Sequence, residues 1–242
     1  MRHLTALVIA LSLNLPLFAQ LGASATIQNM HLWRGGEVAD GFVLTTDLSI
    51  TSKDEHFTLG VWGGMNAVGE YKEFNYYAVY RTGGFSLTLA DTYNFSTYAT
   101  YNNEEFFNYR PSQTGRFLDA AIRYQFGDKF PLELTYATVV FGRDRDEANE
   151  KNIYSAYCAA EYTLYNREGW QVDLGAGAAF ALHNPGSSAN FYGEKGGVVE
   201  ATLRVSYLLE LRSYSIPTSF LAMWNPQSNQ AYLQLSVQLL TF

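Results

Sequence analysis

Cysteine is nearly absent. Cys158 is the only one in 242 residues, so the chain can form no internal disulfide and no thiolate metal cluster. It lies far from the N-terminus, where a lipid-attachment cysteine would be, and reads as a small apolar wall residue. Basic residues are scarce. Lys and Arg number 16 against 23 Asp and Glu, a formal charge of −7, which argues against nucleic acid as a partner. Beyond the N-terminal stretch no apolar run approaches the length of about eighteen residues that a membrane-crossing helix needs. The sequence has no metal-ligand spacing, no G-x-S-x-G, no repeat of twenty to fifty residues and no low-complexity tract; it calls for no cofactor.

What is present is aromatic and alternating. Tyr, Phe and Trp supply 16% of the chain, and there are 20 glycines. Residues 1–19 stand apart: Arg2 and His3 precede an apolar run ending at Leu17, interrupted by Thr5, Ser12, Asn14 and Pro16. With Ala19 before Gln20 this is the layout of a secretory signal, although Leu17 departs from the usual small residue at −3. The expected division is a signal over 1–19 and one domain over 20–242, with charge −8 once Arg2 is removed.

Twelve segments show period-two alternation: 23–33, 42–51, 57–65, 73–81, 85–94, 116–126, 132–141, 154–164, 170–182, 198–210, 214–224 and 232–242. In the second, Phe42, Leu44, Leu48 and Ile50 oppose Val43, Thr45, Asp47, Ser49 and Thr51. In the tenth, Val199, Ala201, Leu203, Val205 and Tyr207 oppose Glu200, Thr202, Arg204 and Ser206. Soluble sandwiches alternate too, but with mean strands of about 5–6 residues. Most of these segments have the ~9–11 residues that a tilted spanning strand requires. The connections sort themselves as well. Those at 52–56, 82–84, 127–131, 165–169 and 211–213 are short, and those at 34–41, 66–72, 95–115, 142–153, 183–197 and 225–231 are mostly longer. That pattern predicts an all-β, closed antiparallel transmembrane barrel of about twelve strands, with short periplasmic turns and longer external loops. Two features strain it. Pro217 removes a ladder donor inside the eleventh segment, which a bulge or a locally widened spacing at 215–218 would absorb. Phe242 falls off the parity of Leu233, Leu235, Val237 and Leu239, which a bulge near Leu239-Leu240 would restore.

Several pieces resemble the TorF-type family of small outer-membrane porins: His31-Leu32-Trp33-Arg34-Gly35, Phe57-Thr58-Leu59-Gly60-Val61-Trp62-Gly63, Glu73-Phe74-Asn75-Tyr76-Tyr77, Phe141-Gly142-Arg143-Asp144, Asn152-Ile153-Tyr154-Ser155-Ala156-Tyr157, and Leu174 through Phe180. They are scattered over about four-fifths of the expected mature chain and share the family's order. The resemblance implies a barrel and a channel role; it brings no substrate and no catalytic residue.

A channel acts through its inner wall. Charges on the lipid face would cost ~2–4 kcal/mol for Arg or Lys at mid-membrane, so the polar parity is expected to point inward. It carries Asp47, Glu73, Arg81, Asp119, Arg123, Glu133, Glu161, Asp173, Glu200, Arg204 and Glu210, eight acids and three arginines. Such a lumen would favour cations if open, or plug itself by pairing if not. Asp91 is the exception, sharing parity with Phe85, Leu87 and Leu89. The connection 95–115, with Tyr98, Tyr101, Phe106, Phe107 and Tyr109, reads as a loop packing over the mouth or as an inward constriction. Trp33, Trp170, Tyr214 and Trp224 suit interfacial girdles, while Trp62 falls on the polar parity. An enzyme would need a Ser–His pairing on one rim, and only His31 or His183 with Ser187 or Ser188 offers the pieces. The expected partners are outer-membrane lipid, small hydrophilic solutes and the barrel-assembly machinery, which would read the C-terminal strand ending at Phe242. The competing reading is a structural or adhesive barrel using its external loops.

Overall fold

A computed structural model describes residues 20–212 and 214–241. Residues 1–19, the expected secretory segment, and the terminal Phe242 lie outside the described residues. Fourteen strands form. Twelve make the wall: β1 Gln20–Gln28, β4 Val43–Thr51, β5 Phe57–Asn66, β6 Lys72–Thr82, β7 Phe85–Asn94, β8 Phe117–Gln125, β9 Leu132–Gly142, β10 Ser155–Arg167, β11 Trp170–Ala181, β12 Gly197–Leu211, β13 Tyr214–Asn225 and β14 Gln230–Thr241. Each pairs antiparallel with its neighbours, and β1 bonds to both β4 and β14, so the sheet closes on itself. Closure satisfies every edge, the condition a sheet must meet inside hydrocarbon. The other two strands, β2 His31–Trp33 and β3 Gly36–Ala39, pair only with each other.

Alternation decides which face is which. Leu48, Ile50, Leu59, Leu134, Leu174, Leu233 and Leu235 are all strongly exposed on the outer face. The opposite parity carries the buried Val43, Thr58, Ala121, Ala137 and Asp173. A continuous outer row of exposed aliphatics on every side is untenable in water and is what lipid requires. The short turns behave as the sequence suggests. Glu168 and Gly169, both with positive φ, close β10 onto β11 in two residues.

Three features depart from the sequence reading and one follows it. The first strand starts at Gln20 and stops at Gln28, and the expected wall segment 29–33 leaves the sheet. Asn29 ends it: its side chain donates to Leu233 O at 3.0 Å and accepts from Leu235 N at 2.7 Å, occupying the edge where the ladder would continue. Val199, expected on the outer row with Leu203 and Val205, is fully buried. A bulge opposite Gly177/Ala178 turns it inward. Pro217 needs no bulge in the β12 ladder, which runs unbroken through Leu208↔Pro217. Pairing with β14 begins one residue later, at Thr218↔Val237, so the missing N–H costs no bond on that side. A register shift does fall at Leu239, between Ala25↔Leu240 and Thr26↔Gln238, where the alternation needs it.

Asp91 stays on the outer row, without a bulge in the β6–β7–β8 registers up to Leu118. It is neutralised there. Arg116 Nη1 donates to it at 2.9 Å and Tyr109 OH at 2.7 Å. Arg116 is itself fully buried, its guanidinium 4.4 Å from the Phe106 ring centre and 4.8 Å from that of Tyr93. The loop 95–115 therefore straddles the rim. Phe106 lies on the outer-row rings of Phe74, Tyr76 and Tyr93, while Tyr98 and Tyr101 turn towards the lumen.

Candidate functional site

The segment that leaves the wall after Gln28 fills the external half of the lumen. Arg34 (φ 45°) and Gly35 (φ 83°) form the tip of the β2–β3 hairpin. Two successive positive φ values make the tight reversal whose twist suits a two-residue hairpin. Glycine is required at the second place for a further reason: a Cβ there would sit 2.3 Å from Val199 O. Asn225 Nδ2 donates to Gly35 O at 2.8 Å, holding the tip from β13.

The hairpin springs from β1 and β4 and reaches β8 and β10, which stand across the twelve-stranded ring. Arg34 makes the span. Its Nη1 and Nη2 donate to the two oxygens of Asp119 at 2.8 and 2.7 Å, and Nη1 also to Tyr192 OH at 2.6 Å. The guanidinium lies 4.7 Å from the Trp33 ring centre and 5.2 Å from that of Tyr157. Burial alone would weaken its hold on the proton; the Asp119 and Tyr192 contacts outweigh that and leave its pKa raised. Trp33, expected in an interfacial girdle, instead packs inside against Phe117, Phe191 and Tyr192. The sequence places it on alternating parity either way, and only the departure at Asn29 separates the two outcomes. At the hairpin's base His31 stacks on Tyr71 and lies tilted against Trp62. Its Nδ1 accepts from Gln28 Nε2 at 2.8 Å, and burial lowers its pKa to about 4, so the ring is neutral near pH 7.

With the tip held against β8, β10, β12 and β13, open space remains on the other side. A cavity of about 1050 Å³ runs between the hairpin and the wall of β5 to β8. Its outer lip includes Asp40, Glu70 and Tyr98, and it descends past Trp62 and Glu73 to Tyr77 and Thr88. A second cavity of about 510 Å³ lies lower, beside Thr26, Ser206, Ser219 and Ser236. The two share no lining residue.

The eleven charged positions expected to face inward separate into groups. Glu73 and Asp119 line the large cavity. Glu73 accepts from Asn75 Nδ2 at 2.9 Å and Asn94 Nδ2 at 3.1 Å. Asp47 pairs in register with Trp62, on the cavity side, and receives the Tyr77 hydroxyl at 2.8 Å. Glu200 accepts from the Tyr157 hydroxyl beneath the hairpin tip. The rest lie towards the short turns. Arg81 donates to Thr58 Oγ1 at 2.9 Å, and Arg123 is in register with Ser86 and Thr135. Glu133 stands directly opposite Glu161, and Arg204 Nε approaches Glu161 at 3.9 Å. Asp173 is buried under Thr163 and Gln171 donors, in register with Arg204. Glu210 receives Ser215 Oγ at 3.2 Å.

Two cations were not among these positions: Arg34 and Arg143. Both lie in connections, which parity does not orient. The available signal for Arg34 was a two-residue Arg-Gly step between short alternating stretches, a hairpin pattern lacking the usual Asn-Gly. Arg143 lines the large cavity with its guanidinium 3.8 Å from the Tyr101 ring centre and 4.7 Å from that of Phe191. Burial lowers its pKa, and the opposing pull of Tyr101, Glu73 and Asp144 does not cancel that. The histidines form no catalytic pairing among the hydrogen bonds of the described residues: His56 Nδ1 meets Arg81 O, and Ser187 Oγ accepts from Ala189 N.

A closed sheet, a lipid-compatible outer face and a lumen entered by its own first hairpin define a transmembrane β-barrel. No family model and no curated protein matches the chain. Among solved structures, a chain from work on the in-meso crystallization of membrane proteins is similar over 92% of this chain and 83% of its own, with 13% identity and a TM-score of 0.50. An outer-membrane channel from Pseudomonas putida F1 is similar over 93% and 95%, with 12% identity and a TM-score of 0.48. A mutant Rh. blastica porin is similar over 93% and 100%, with 11% identity and a TM-score of 0.37. At 13% identity the first of these likenesses is one of fold alone.

Proposed function

We propose that this barrel is an outer-membrane channel for passive diffusion of small hydrophilic solutes, with a narrow, cation-preferring path running beside the hairpin. One observation carries the reading. The hairpin is fixed to one side of the lumen, leaving about 1050 Å³ open to the outside along the β5–β8 wall. Asp40 and Glu70 at its lip, with Glu73 inside, set a negative entrance, as acidic rings do in cation pores. Below Tyr77, the path would continue past Arg81, Arg123, Glu133, Glu161, Asp173, Arg204 and Glu210. The TorF-type resemblance agrees with a porin role. Export by the 1–19 signal and assembly through the strand ending at Phe242 complete the reading. In planar bilayers the purified protein is expected to show small conductance steps with reversal potentials favouring cations. Anion preference, or silence across many insertions, would remove the claim.

The separation of the two cavities favours a second reading: a barrel sealed by its hairpin and used as a structural or adhesive element through its external loops. Liposome swelling separates the two. Entry of small sugars or amino acids supports passage; intact exclusion of all of them supports the seal.

A further inference from the structure

The large cavity contains two opposite charges, Arg143 and Glu73, that make no direct hydrogen bond or ion pair with each other. Arg143 makes no side-chain hydrogen bond or ion pair among the described residues. Its Nε is buried without an acceptor. Its direct contacts are ring faces, Tyr101 on one side and Phe191 and Phe117 nearby, while Glu73 and Asp144 act on it only through space. A buried guanidinium without a hydrogen-bonded carboxylate is costly unless something supplies one. Facing the same space is Glu73, fixed in place by the amides of Asn75 and Asn94. Asn75 Oδ1 is in turn buried with no donor. The cavity therefore offers a cation that needs an acceptor and an anion beside an acceptor that needs a donor. Aromatic rings of Trp33, Trp62 and Tyr101 line the same cavity.

We propose that this cavity binds a small zwitterion, an α-amino acid with an apolar or aromatic side chain, its carboxylate on Arg143 and its ammonium towards Glu73 and Asn75. A simple anion would gain Arg143 but meet Glu73, and a simple cation would meet the reverse. Only a solute carrying both charges is matched to both groups. The rings provide stacking and cation–π surface for the rest of the molecule. The inference deepens the channel reading by naming a solute class and rests on it for its biological use.

The test uses the folded full-length protein in detergent and three probes: phenylalanine, N-acetylphenylalanine (anion only) and phenylalanine amide (cation only). Trp33 and Trp62 line the cavity, so tryptophan fluorescence reports occupancy. Phenylalanine is expected to give a saturable change, with each single-charge analogue about tenfold weaker or worse. Arg143→Met and Glu73→Gln should each weaken phenylalanine about tenfold, with far-UV circular dichroism confirming the barrel. The wild-type comparison stands even if a variant fails to fold. Equal binding of N-acetylphenylalanine, or no saturable change with any probe, overturns the proposal. Parallel bilayer recordings keep the two readings apart. Conductance without binding overturns the site alone, and binding without conductance supports the site while overturning the passage.

Discussion

At the residue scale, Arg34 and Asp119 govern how the lumen is filled. Their side chains are only 12% and 9% exposed, so each charge depends on the other. Asp119→Asn would leave the guanidinium buried and uncompensated, which in protein interiors costs about 3–5 kcal/mol. That cost falls on the hairpin's docking, since the wall ladders do not pass through Arg34. The barrel is thus expected to stay closed while the hairpin detaches, seen as larger, noisier current steps. Unchanged currents would show that Trp33 and Gly35 hold the hairpin unaided. His31 adds an acid dependence. Its pKa is about 4 when docked and about 6.5 when released. Between those values the released form takes up a proton and the docked form does not, so docking is flat above pH 6.5 and weakens as pH falls towards 4. Conductance should rise over that window, and His31→Gln should abolish the part due to the imidazole.

At the element scale, the β2–β3 hairpin distinguishes this barrel from an empty one. Replacing 31–39 by an Asn-Gly turn should leave the β1–β4 pairing intact, because that register ends at Gln28↔Val43. Conductance is expected to increase several-fold with loss of discrimination by solute size; a conductance equal to the wild type would mean that the restriction lies lower. The same elements show what could be read in advance. Wall strands such as β4 and β14 were legible because lipid forces strict alternation over about ten residues, including the bulge at Leu239. The inward hairpin was not, because His31-Leu32-Trp33 continues the alternation of β1 and nothing in its parity marks the departure at Asn29. Val199 was misplaced because a bulge inverts parity without altering composition. The charged cluster at Asp91 and Arg116 was visible only as an anomaly. Its resolution needed a loop residue, Tyr109, and a strand-end residue, Arg116, brought together by the fold. Arg143 was hidden for the related reason that connections have no period.

At the scale of the whole molecule, the outer face demands the bilayer. Leu48 and Ser49 are adjacent in β4, and their register partners place them on opposite faces: Leu48 with Ala23 and Val61, Ser49 with Gly22 and Gly60. Leu48 is 55% exposed although it belongs to the apolar row, a waste in water but a gain in hydrocarbon. Leu48→Arg should therefore destabilise the inserted barrel by about 2–4 kcal/mol, the cost of a cation near the membrane midplane. Ser49→Arg, one residue along, puts the same charge on the lumen side near Asp47 and should cost far less, although it adds a basic group to the path and should reduce cation preference. Reversible unfolding from lipid vesicles in denaturant measures the first effect, and reversal potentials measure the second. Equal costs at the two positions would mean that the apolar rows face another protein surface rather than lipid. The assignment of inside and outside, on which the cavity, the hairpin and the solute path all depend, would then fail together.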